Sequence, residues 1–483
     1  MKKKVLLVNS NLMKPPVTPL ALDYLAQAVE ESDFGVDLLD LCFSPDLVKS
    51  IQQYFTRNEV LAVAISFRNT DNCSFATQRS FFPQIKSIVD LLKANTGAPL
   101  ILGGVGFSIM PEAVLDYCGL DLGIRGEGER SLPLLLSRMA KGENFHDIPG
   151  LLYRVEGRLR SNPPQFLDLT KASTPRRSFI DNPRYFQEGG MGCLETKRGC
   201  AQGCIYCADP LSKGNTIRLR SPKSVADEVQ ALVDQGIDHI HTCDSEFNLP
   251  EEHAKEVCRE IVSRRLGEKV KWYAYASPAP FSQELASLFK RAGGVGINFG
   301  ADSACDRLLK TLGRDFSVED LRRTARICRE TGIVCMYDLL LGAPGETRES
   351  LGETIETLKD ISPDRIGASL GVRIYDRTKL AEVVRREGPL RNNPNLHGIT
   401  EGNDDFSATI FYLSKYLGDD AAEYLSQLVG QDERFFLHTP QAGDKNYNYD
   451  DNTTLIEAIG KGYRGAFWDI LRRLPQSRNC SEK

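Results

Sequence analysis

Short apolar runs alternate with amphipathic segments twice along this chain, and no other feature constrains its fold as strongly. The clearest run, Val60–Ser66, is almost wholly apolar, as expected of a strand in a parallel sheet that is buried on both faces. Strict alternation of such strands with helices predicts a doubly wound parallel sheet, and ligands of such sheets lie at the carboxyl ends of the strands. Residues 1–145 are therefore predicted to form a Rossmann-like α/β domain.

The predicted strand ends of this first domain carry glycine turns and one polar loop. Glycine allows a backbone to approach a bulky ligand closely, and such turns occur at Gly103-Gly104 and at Gly126-Glu127-Gly128. The polar loop contains Arg68 and Asn69. No GxGxxG fingerprint follows the first strand, which argues against a dinucleotide-binding dehydrogenase. The fold is also typical of domains that bind a nucleotide or dock a partner.

A second β/α series begins after a connector. Residues 146–190 are predicted to form a hairpin over Gly150–Arg160 and then a linker rich in proline, asparagine and charge. Residues 191–375 contain six βα units, which predict a partial, TIM-like (βα)6 barrel that is open on one side. Residues 376–483 are predicted to be mainly helical. Chemistry in such barrels takes place at the carboxyl ends of the strands.

Three cysteines follow the first predicted barrel strand at CxxxCxxC spacing, namely Cys200, Cys204 and Cys207. Four thiolates normally hold a [4Fe–4S] cluster, so three leave one iron open to a chelating ligand. The aromatic Tyr206 is placed to pack over such a ligand. The alternatives are three buried cysteines or a zinc site, although zinc knuckles usually contain CxxC pairs with a second pair downstream.

This loop resembles the cluster loop of the radical S-adenosylmethionine (SAM) enzymes. The turn Gly342-Ala343-Pro344-Gly345-Glu346-Thr347 and the segment Leu309–Arg314 are similar to motifs of the same family. The first domain resembles the cobalamin-binding domain that is fused to many of these enzymes, through its Pro15-Pro16 and Pro19-Leu20 segment, Gly103-Gly104 and the turn at Gly126. The resemblance implies a [4Fe–4S] cluster, SAM and cobalamin as cofactors. A DxHxxG loop is absent, which implies a cobalt without a histidine ligand.

The resemblance also implies roles for individual residues. The site residues that it suggests are Asp244, Glu246 and Asn248 near the SAM ammonium, Asp302 at the ribose, Arg314 at the SAM carboxylate, Gly342 near the adenine, Arg68 or Asn69 beneath the corrin, Gly103, Gly104, Gly126, Glu127 and Gly128 along the corrin, and Tyr375 as a catalytic residue facing the cavity. The alternative for the segment after the second barrel strand is that it caps the next helix. The alternative for the polar loop of the first domain is that it caps a sheet edge.

The reaction that the resemblance implies is cobalamin-dependent C-methylation of an unactivated sp3 carbon. One SAM would remethylate the cobalamin and a second would generate a 5′-deoxyadenosyl radical. Two alternatives stay open: a rearrangement or cyclisation without methyl transfer, and a corrinoid-binding carrier or sensor without catalysis. The implied partners are a small-molecule, lipid or peptide substrate and an external flavodoxin- or ferredoxin-like electron donor. A methylthiotransferase is disfavoured, because Cys42, Cys73 and Cys118 do not resemble the second cluster motif of that class.

Composition and charge indicate which partners and which cellular compartment to expect. The net charge of −5 gives no support to a nucleic-acid partner. No apolar run is long enough to predict a membrane span. The segment Val5–Asn9 is interpreted as a first strand, because no small-residue cleavage site follows it. Thirteen cysteines without a secretion signal then predict a reducing, cytoplasmic location.

Overall fold

The computed structural model describes residues 2–438 and 452–474, and this part of the chain contains two large sheets of seven strands each. The first sheet has the order β2-β1-β3-β4-β5-β6-β7, and β1 to β5 are parallel. Its strands are β1 (Lys4–Asn9), β2 (Gly35–Asp40), β3 (Ala62–Ser66), β4 (Leu100–Gly103), β5 (Leu122–Ile124), β6 (Leu151–Val155) and β7 (Arg158–Ser161). The predicted doubly wound domain is confirmed.

Helices cover both faces of the first sheet. They are α1 (Leu20–Glu31), α2 (Leu47–Phe55), α3 (Phe82–Asn95), α4 (Val105–Ile109), α5 (Pro111–Cys118) and α6 (Gly128–Lys141). Successive side chains of a strand point to opposite faces. Accordingly Leu6 packs with α2, α3 and α5 on one face, and Leu7 packs with α1 and α6 on the other.

The predicted hairpin is part of the first sheet, because β6 pairs antiparallel with β5 and β7 pairs with β6. The linker that follows contains α7 (Asn182–Gln187) and places Arg177 between the domains. Arg177 forms ion pairs at 2.8 Å with both Asp23 of α1 and Glu228 of the barrel, and all three side chains are buried. The linker therefore joins the two domains through a buried charge network.

The rest of the chain builds the second large sheet and two small ones. The strands are β8 (Gly192–Leu194), β9 (Lys197–Arg198), β10 (Arg218–Leu219), β11 (His239–Thr242), β12 (Lys271–Ala276), β13 (Gly294–Asp302), β14 (Val334–Leu341), β15 (Arg365–Leu370), β16 (Val372–Arg373), β17 (Leu396–Gly398), β18 (Ile410–Tyr412) and β19 (Phe435–His438). The large sheet has the order β19-β15-β14-β13-β12-β11-β8, and all its pairings are parallel. It is the predicted open barrel with a seventh strand added.

The barrel helices fill the gaps between the strands, and further helices follow the barrel. They are α8 (Asp209–Lys213), α9 (Pro222–Asp234), α10 (Glu251–Ser263), α11 (Gln283–Arg291), α12 (Asp306–Leu312), α13 (Val318–Thr331), α14 (Arg348–Ile361), α15 (Lys379–Glu387), α16 (Ala421–Val429), α17 (Thr453–Gly460) and α18 (Phe467–Arg473). The C-terminal region contains the predicted helices and also β17, β18 and β19, which the sequence analysis missed. Part of the predicted C-terminal domain, residues 439–451 and 475–483, lies outside the described residues.

The lower half of the barrel is a packed core. Tyr273, Met336, Phe436 and Trp468 fill the interior there, and the Tyr273 hydroxyl donates to Asp469 at 2.8 Å. The upper half, where the strands end, faces the carboxyl ends of the first sheet across a crevice. Among the helices that the structure describes, none is both long and apolar enough to cross a membrane.

Candidate active site between the two sheets

The cysteine loop leaves the barrel directly after β9. Gly199 has a φ of +88°, and an added Cβ would lie 2.1 Å from the carbonyl oxygen of Thr216, so glycine is required there. The N–H of Cys200 donates to the carbonyl of Gly214 at 3.1 Å. These contacts fold the loop tightly over the mouth of the barrel.

The three thiols of this loop fit an iron–sulfur cluster better than a single metal ion. Burial raises the pKa of Cys200, Cys204 and Cys207, and the negative charge of neighbouring groups adds to the effect at each. Within residues 2–438 and 452–474, no three His, Cys, Asp or Glu side chains are placed to hold one metal ion. A zinc ion needs all of its ligands within about 2.3 Å of one point. A cubane cluster binds each thiolate through a different iron, so it suits more widely spaced sulfurs.

The end of α12 docks onto the cysteine loop through the main chain. The N–H of Ile205 donates to the carbonyl of Leu312 at 3.0 Å. Gly313 has a φ of +77°, and an added Cβ would lie 2.5 Å from the carbonyl oxygen of Gly203. Arg314 follows at once, and its Nη1 lies 2.8 Å from Cys204 Sγ. The backbone thus brings an arginine to a predicted cluster ligand.

Asp302 reaches the same point through an irregularity in β13. The register between β13 and β14 shifts at Gly300/Asp302, and Asp302 has a φ of +60°, a strained value for a residue with a side chain. Its Oδ2 accepts a 2.6 Å hydrogen bond from the Tyr206 hydroxyl and lies 3.4 Å from Arg314 Nε. The two sequence-predicted cofactor residues Tyr206 and Asp302 are therefore in direct contact.

Glu246 completes this group of charges. Its carboxylate lies 3.6 Å from Arg314 Nη2, and an added Cβ on Gly300 would lie 3.9 Å from its Oε1. Burial raises the pKa of Glu246 to about 7, and the positive charge of Arg314 opposes that rise. The structure keeps Glu246 at the barrel mouth, where the sequence placed it.

Two other residues of the same segment hold the barrel rim together. Asp244 accepts hydrogen bonds from the Thr196 N–H at 2.8 Å and the Thr196 hydroxyl at 2.5 Å, and its other contact is the Lys197 ammonium at 3.3 Å. Asn248 donates to the carbonyls of Ser277 and Pro280 and accepts from the Ser277 N–H. These contacts show that Asp244 and Asn248 close the loops at the barrel rim, and their role at the SAM ammonium stays a prediction.

Gly342 likewise has a structural part in a turn. It has a φ of +98°, and an added Cβ would lie 2.5 Å from Leu413 Cδ1, so its open side is filled by the C-terminal region. Its N–H and that of Ala343 donate to the Glu346 carboxylate. Helix α14 is capped instead by Thr347. Glu346 therefore closes the turn, and Thr347 caps the helix.

The opposite side of the crevice consists of loops at the strand ends of the first sheet. An added Cβ on Gly104 would lie 2.5 Å from the carbonyl oxygen of Phe67, so the turn after β4 packs directly on the loop after β3. An added Cβ on Gly103 would meet the Ile124 carbonyl at 3.6 Å. Gly126, with a φ of +84°, donates its N–H to Ser108 Oγ at 2.9 Å. These predicted corrin-binding turns thus form one continuous surface.

The acidic turn after β5 contacts the barrel. Both Glu127 oxygens accept from Arg218, at 2.7 and 2.9 Å, and Oε2 also accepts from the Leu167 N–H at 2.6 Å. Arg198, next to the cysteine loop, pairs with Glu129 at 2.7 Å. Gly128 packs on Leu25, 3.2 Å from an added Cβ. These contacts place Glu127 at the domain interface, and its role in cobalamin binding stays a prediction.

The loop that carries Arg68 and Asn69 faces the barrel interior. The hydrogen bond from Cys243 lowers the pKa of the Cys193 thiol, burial opposes this, and the charges of Arg177 and Arg68 add to the lowering. The Arg68 guanidinium is therefore near enough to β8 for its charge to lower the pKa of Cys193. The Asn69 side-chain amide lies 3.4 Å from Met13 Sδ, in the loop after β1.

Tyr375 and Arg373 clamp this same loop from the barrel side. Arg373 Nε donates to Asp71 Oδ2 at 2.8 Å, and both side chains are buried. The Tyr375 hydroxyl lies 3.2 Å from Cys73 Sγ, and the Arg373 guanidinium lies 4.6 Å from the Tyr375 ring centroid. Burial raises the pKa of Tyr375. Tyr375 thus lies at the boundary of the two domains, and its catalytic role remains a prediction.

The crevice also contains polar atoms that suit a large polar ligand. In the described residues, Asn11 Nδ2, Arg125 Nε and Arg373 Nη2 are buried without a hydrogen-bond partner. Buried polar groups are normally paired, so each such atom calls for a ligand or water. Asn11 and Arg125 follow β1 and β5, and Arg373 pairs with Asp71 of the loop after β3. The crevice therefore fits cobalamin, which carries many amide groups.

Sequence reasoning missed His241, Tyr275, Asp71 and Arg373. His241 and Tyr275 lie on apolar strands, where aromatic side chains usually signal only a core. Arg373 sits in a short strand, and Asp71 lies in a polar loop of the other domain. The only available signal was strand alternation, which places His241 and Tyr275 on the inner face of the barrel.

Family models and known proteins agree with this site. Residues 194–358 match the radical SAM superfamily and residues 11–136 match the B12 binding domain. The chain is 30% identical to tryptophan 2-C-methyltransferase from Streptomyces laurentii over 97% of its own length and 95% of that protein. The structure of the radical SAM methyltransferase TsrM from Kitasatospora setae, solved with tryptophan and a SAM analogue, matches with a TM-score of 0.92 at 33% identity over 97% of each chain. The same enzyme solved with cobalamin and a [4Fe–4S] cluster matches with a TM-score of 0.89 at 32% identity over 98% of each chain.

The fold and the site define a radical SAM enzyme with a cobalamin-binding domain. The chain belongs to the family of cobalamin-dependent radical SAM methyltransferases that includes TsrM. Its cofactors are a [4Fe–4S] cluster, SAM and cobalamin, as the sequence implied.

Proposed function

We propose that this enzyme transfers a methyl group to a carbon of tryptophan or of a closely related indole. The proposal rests on an open space with an aromatic wall inside the barrel. Along β12, Trp272 and Ala274 pack with the outer helices, whereas Tyr273 packs inside the barrel. Tyr275 therefore faces the interior, and there it is 46% exposed. An inward-facing ring that is half exposed leaves surface open on which another ring can stack.

His241 on β11 gives this wall a hydrogen-bonding edge. Its ring meets the Tyr275 ring at a centroid distance of 4.8 Å. Its Nδ1 lies 2.7 Å from the Thr242 carbonyl oxygen, which can only accept. The neutral ring therefore carries its proton on Nδ1, and Nε2 is an acceptor. The N–H of an indole stacked on Tyr275 is the matching donor.

We assign each of the other predicted site residues to one of the cofactors. Cys200, Cys204 and Cys207 hold the cluster, and Glu246 and Asp302 face the SAM side. The loop of Arg68 and Asn69 lies on the corrin side. When bound, cobalamin supplies the methyl group, and the cluster with SAM supplies the chemistry that renews it. We further propose a flavodoxin- or ferredoxin-like electron donor and a reducing cytoplasm, which suits the free thiols of the described residues.

The full-length match to a tryptophan-bound methyltransferase supports this substrate. The test uses anaerobically purified protein that carries both cluster and corrinoid. Supplied with tryptophan and methyl-labelled SAM, it is expected to give tryptophan that contains one labelled methyl group, detected by mass spectrometry. Fully loaded protein that yields no labelled product from tryptophan or other indoles would refute the proposal.

Variants at the aromatic wall test the cavity itself. Tyr275→Ala is expected to raise KM for tryptophan about tenfold, since the loss of one aromatic stacking partner is worth about 1.4 kcal/mol. Tyr275→Phe keeps the ring and serves as the matched control, with KM expected within about threefold of the parent. Equal effects of the two variants would show that the ring does not hold the substrate.

A further inference from the structure

The sequence analysis predicts Arg314 at the SAM carboxylate, and in the structure protein groups contact both Nη atoms of its guanidinium, whereas Nε is buried without a hydrogen-bond partner among the described residues. Nη1 lies 2.8 Å from Cys204 Sγ, and Nη2 donates to the Gly300 carbonyl at 2.8 Å. The Asp302 and Glu246 carboxylates lie at 3.4 and 3.6 Å. The side chain is only 5% exposed. A SAM carboxylate at this position would be a third carboxylate around one cation.

We propose that Arg314 tunes the cluster: by donating to the sulfur of Cys204 it raises the reduction potential of the [4Fe–4S] cluster. Hydrogen bonds to the cluster sulfurs and the local net charge are among the factors that set such potentials. Reduction adds a negative charge, so a nearby cation and an N–H donor stabilise the reduced state more than the oxidised state. Arg314 acts through Cys204 and is therefore a positioning residue rather than a catalytic one.

The main chain makes this contact specific. Gly313 lies against Gly203 of the cysteine loop, and Ile205 is hydrogen-bonded to Leu312, so α12 and the loop form one unit. Arg314 therefore keeps its place beside Cys204 without depending on the conformation of a long side chain alone. Its guanidinium also lies 4.9 Å from the Phe316 ring centroid, which restricts it further.

The negative charge of Asp302 partly offsets the positive charge of Arg314. Its carboxylate takes up part of the Arg314 charge at 3.4 Å, and the Tyr206 hydroxyl holds it there through the 2.6 Å hydrogen bond. Loss of the Asp302 charge would leave more of the arginine charge acting on the sulfur. Loss of the arginine fork would have the opposite effect. Substitutions at Arg314 and Asp302 should therefore move the potential in opposite directions.

The experiment is an anaerobic redox titration of the reconstituted cluster, followed by electron paramagnetic resonance, with no SAM or tryptophan added. Arg314→Lys keeps the charge but loses the planar donor fork. At a fixed potential it is expected to lower the ratio of reduced to oxidised cluster about tenfold, which is about 59 mV for one electron. Asp302→Asn is expected to raise the same ratio about threefold, by weakening the opposing charge.

Lys379 provides a matched control. Its Nζ lies 3.4 Å from the carbonyl oxygen of Gly203, so it contacts the same loop at a backbone oxygen and not at a sulfur. Lys379→Gln removes a cation from the loop and is expected to leave the potential unchanged. A shift as large as that of Arg314→Lys would assign the effect to general charge and would overturn the proposal.

Two further outcomes would overturn it. One is an unchanged potential in Arg314→Lys protein with full iron and sulfide content, together with SAM binding weakened about tenfold or more, which is the result expected of a SAM-carboxylate ligand. The other is a shift of the same sign in Arg314→Lys and Asp302→Asn. If Arg314→Lys protein does not assemble a cluster, the sign of the Asp302→Asn shift decides. Since no substrate is present, the result is independent of the tryptophan proposal.

Discussion

The two sides of the crevice are built in opposite ways. On the barrel side, all three predicted cluster ligands lie within Cys200–Cys207, on one loop whose shape is set by Gly199 and by contacts with α12. On the cobalamin side, the surface is assembled from the loops after β1, β3, β4 and β5. It is completed by Arg373, which lies 302 residues from its partner Asp71. Cluster binding should therefore be lost through substitutions within the cysteine loop. Corrinoid binding should be lost through substitutions that weaken the docking of the two domains.

The largest expected effect comes from a substitution in the cysteine loop. Cys204→Ala removes one of three cluster ligands, so we expect no intact cluster and methyl transfer at the background rate. The corrinoid should remain bound, because its loops belong to the other domain. Iron analysis, absorption spectra and the labelled-methyl assay measure these outcomes. Cys305→Ala, at a buried thiol outside the cysteine loop, is the control and should keep the cluster. Loss of corrinoid together with the cluster would show that the two sides are not separable.

The next effect concerns domain docking. Arg177→Met leaves Asp23 and Glu228 buried without their shared cation, and removing one partner of a buried ion pair costs about 3–5 kcal/mol. We expect a lower free energy of unfolding in urea and loss of corrinoid along with it. Arg138→Ala, in an exposed pair with Asp147, is the comparison and should lower the free energy of unfolding much less, because solvent screens an exposed ion pair. Similar losses in both variants would contradict a special role for the buried network.

A smaller effect is expected where the barrel clamps the corrin loop. Asp71→Asn removes the charge that holds Arg373, and we expect corrinoid affinity to fall about tenfold, which corresponds to about 1.4 kcal/mol. The absorption spectrum of the bound corrinoid should change as well, because the loop of Arg68 shifts. Asp116→Asn, in an exposed ion pair with Arg154, is the matched control. An unchanged affinity and spectrum would show that the clamp does not position the loop.

The smallest effect is a pH dependence at a local turn. Burial raises the pKa of Glu346 to about 7, although the N–H groups of Gly342 and Ala343 act to lower it. Because this pKa lies above that of the unfolded chain, the stability that Glu346 contributes is complete at low pH and is lost as pH rises through about 7. The free energy of unfolding of the parent relative to Glu346→Gln should fall by about 1 kcal/mol between about pH 6 and pH 8. A pH-independent difference would contradict the raised pKa.

Sequence periodicity predicted most of the scaffold. The predicted alternation of strands and helices in both domains matches the structure, because long periodic segments with clear breaks specify their own type. The predicted hairpin is a hairpin, yet its membership in the first sheet was not visible, since pairing with β5 is a tertiary contact. Strand β19 was missed for the same reason, because a run of four residues becomes a strand only beside β15.

The same distinction between local sequence signals and tertiary contacts applies to the residues of the site. Cysteine spacing identified the cluster loop, since the ligands of one cluster lie close together in sequence. Asp244, Asn248 and Glu127 looked like ligand-binding residues because polar side chains at strand ends often are. The structure shows them paired with neighbouring loops. A sequence lists hydrogen-bonding groups, but it does not tell which of them other protein groups already occupy.

The sequence by itself determined the class of this protein: two β/α domains, a three-cysteine cluster loop and a cobalamin-type first domain. Local periodicity and short motifs carry that information, because they depend on neighbouring residues only. The tertiary structure alone decided that Arg314 meets Cys204, that Arg373 holds Asp71 and that Tyr275 is half exposed. Such contacts join residues that are far apart in the chain, and they arise only when buried charges must find partners as the two domains close on each other.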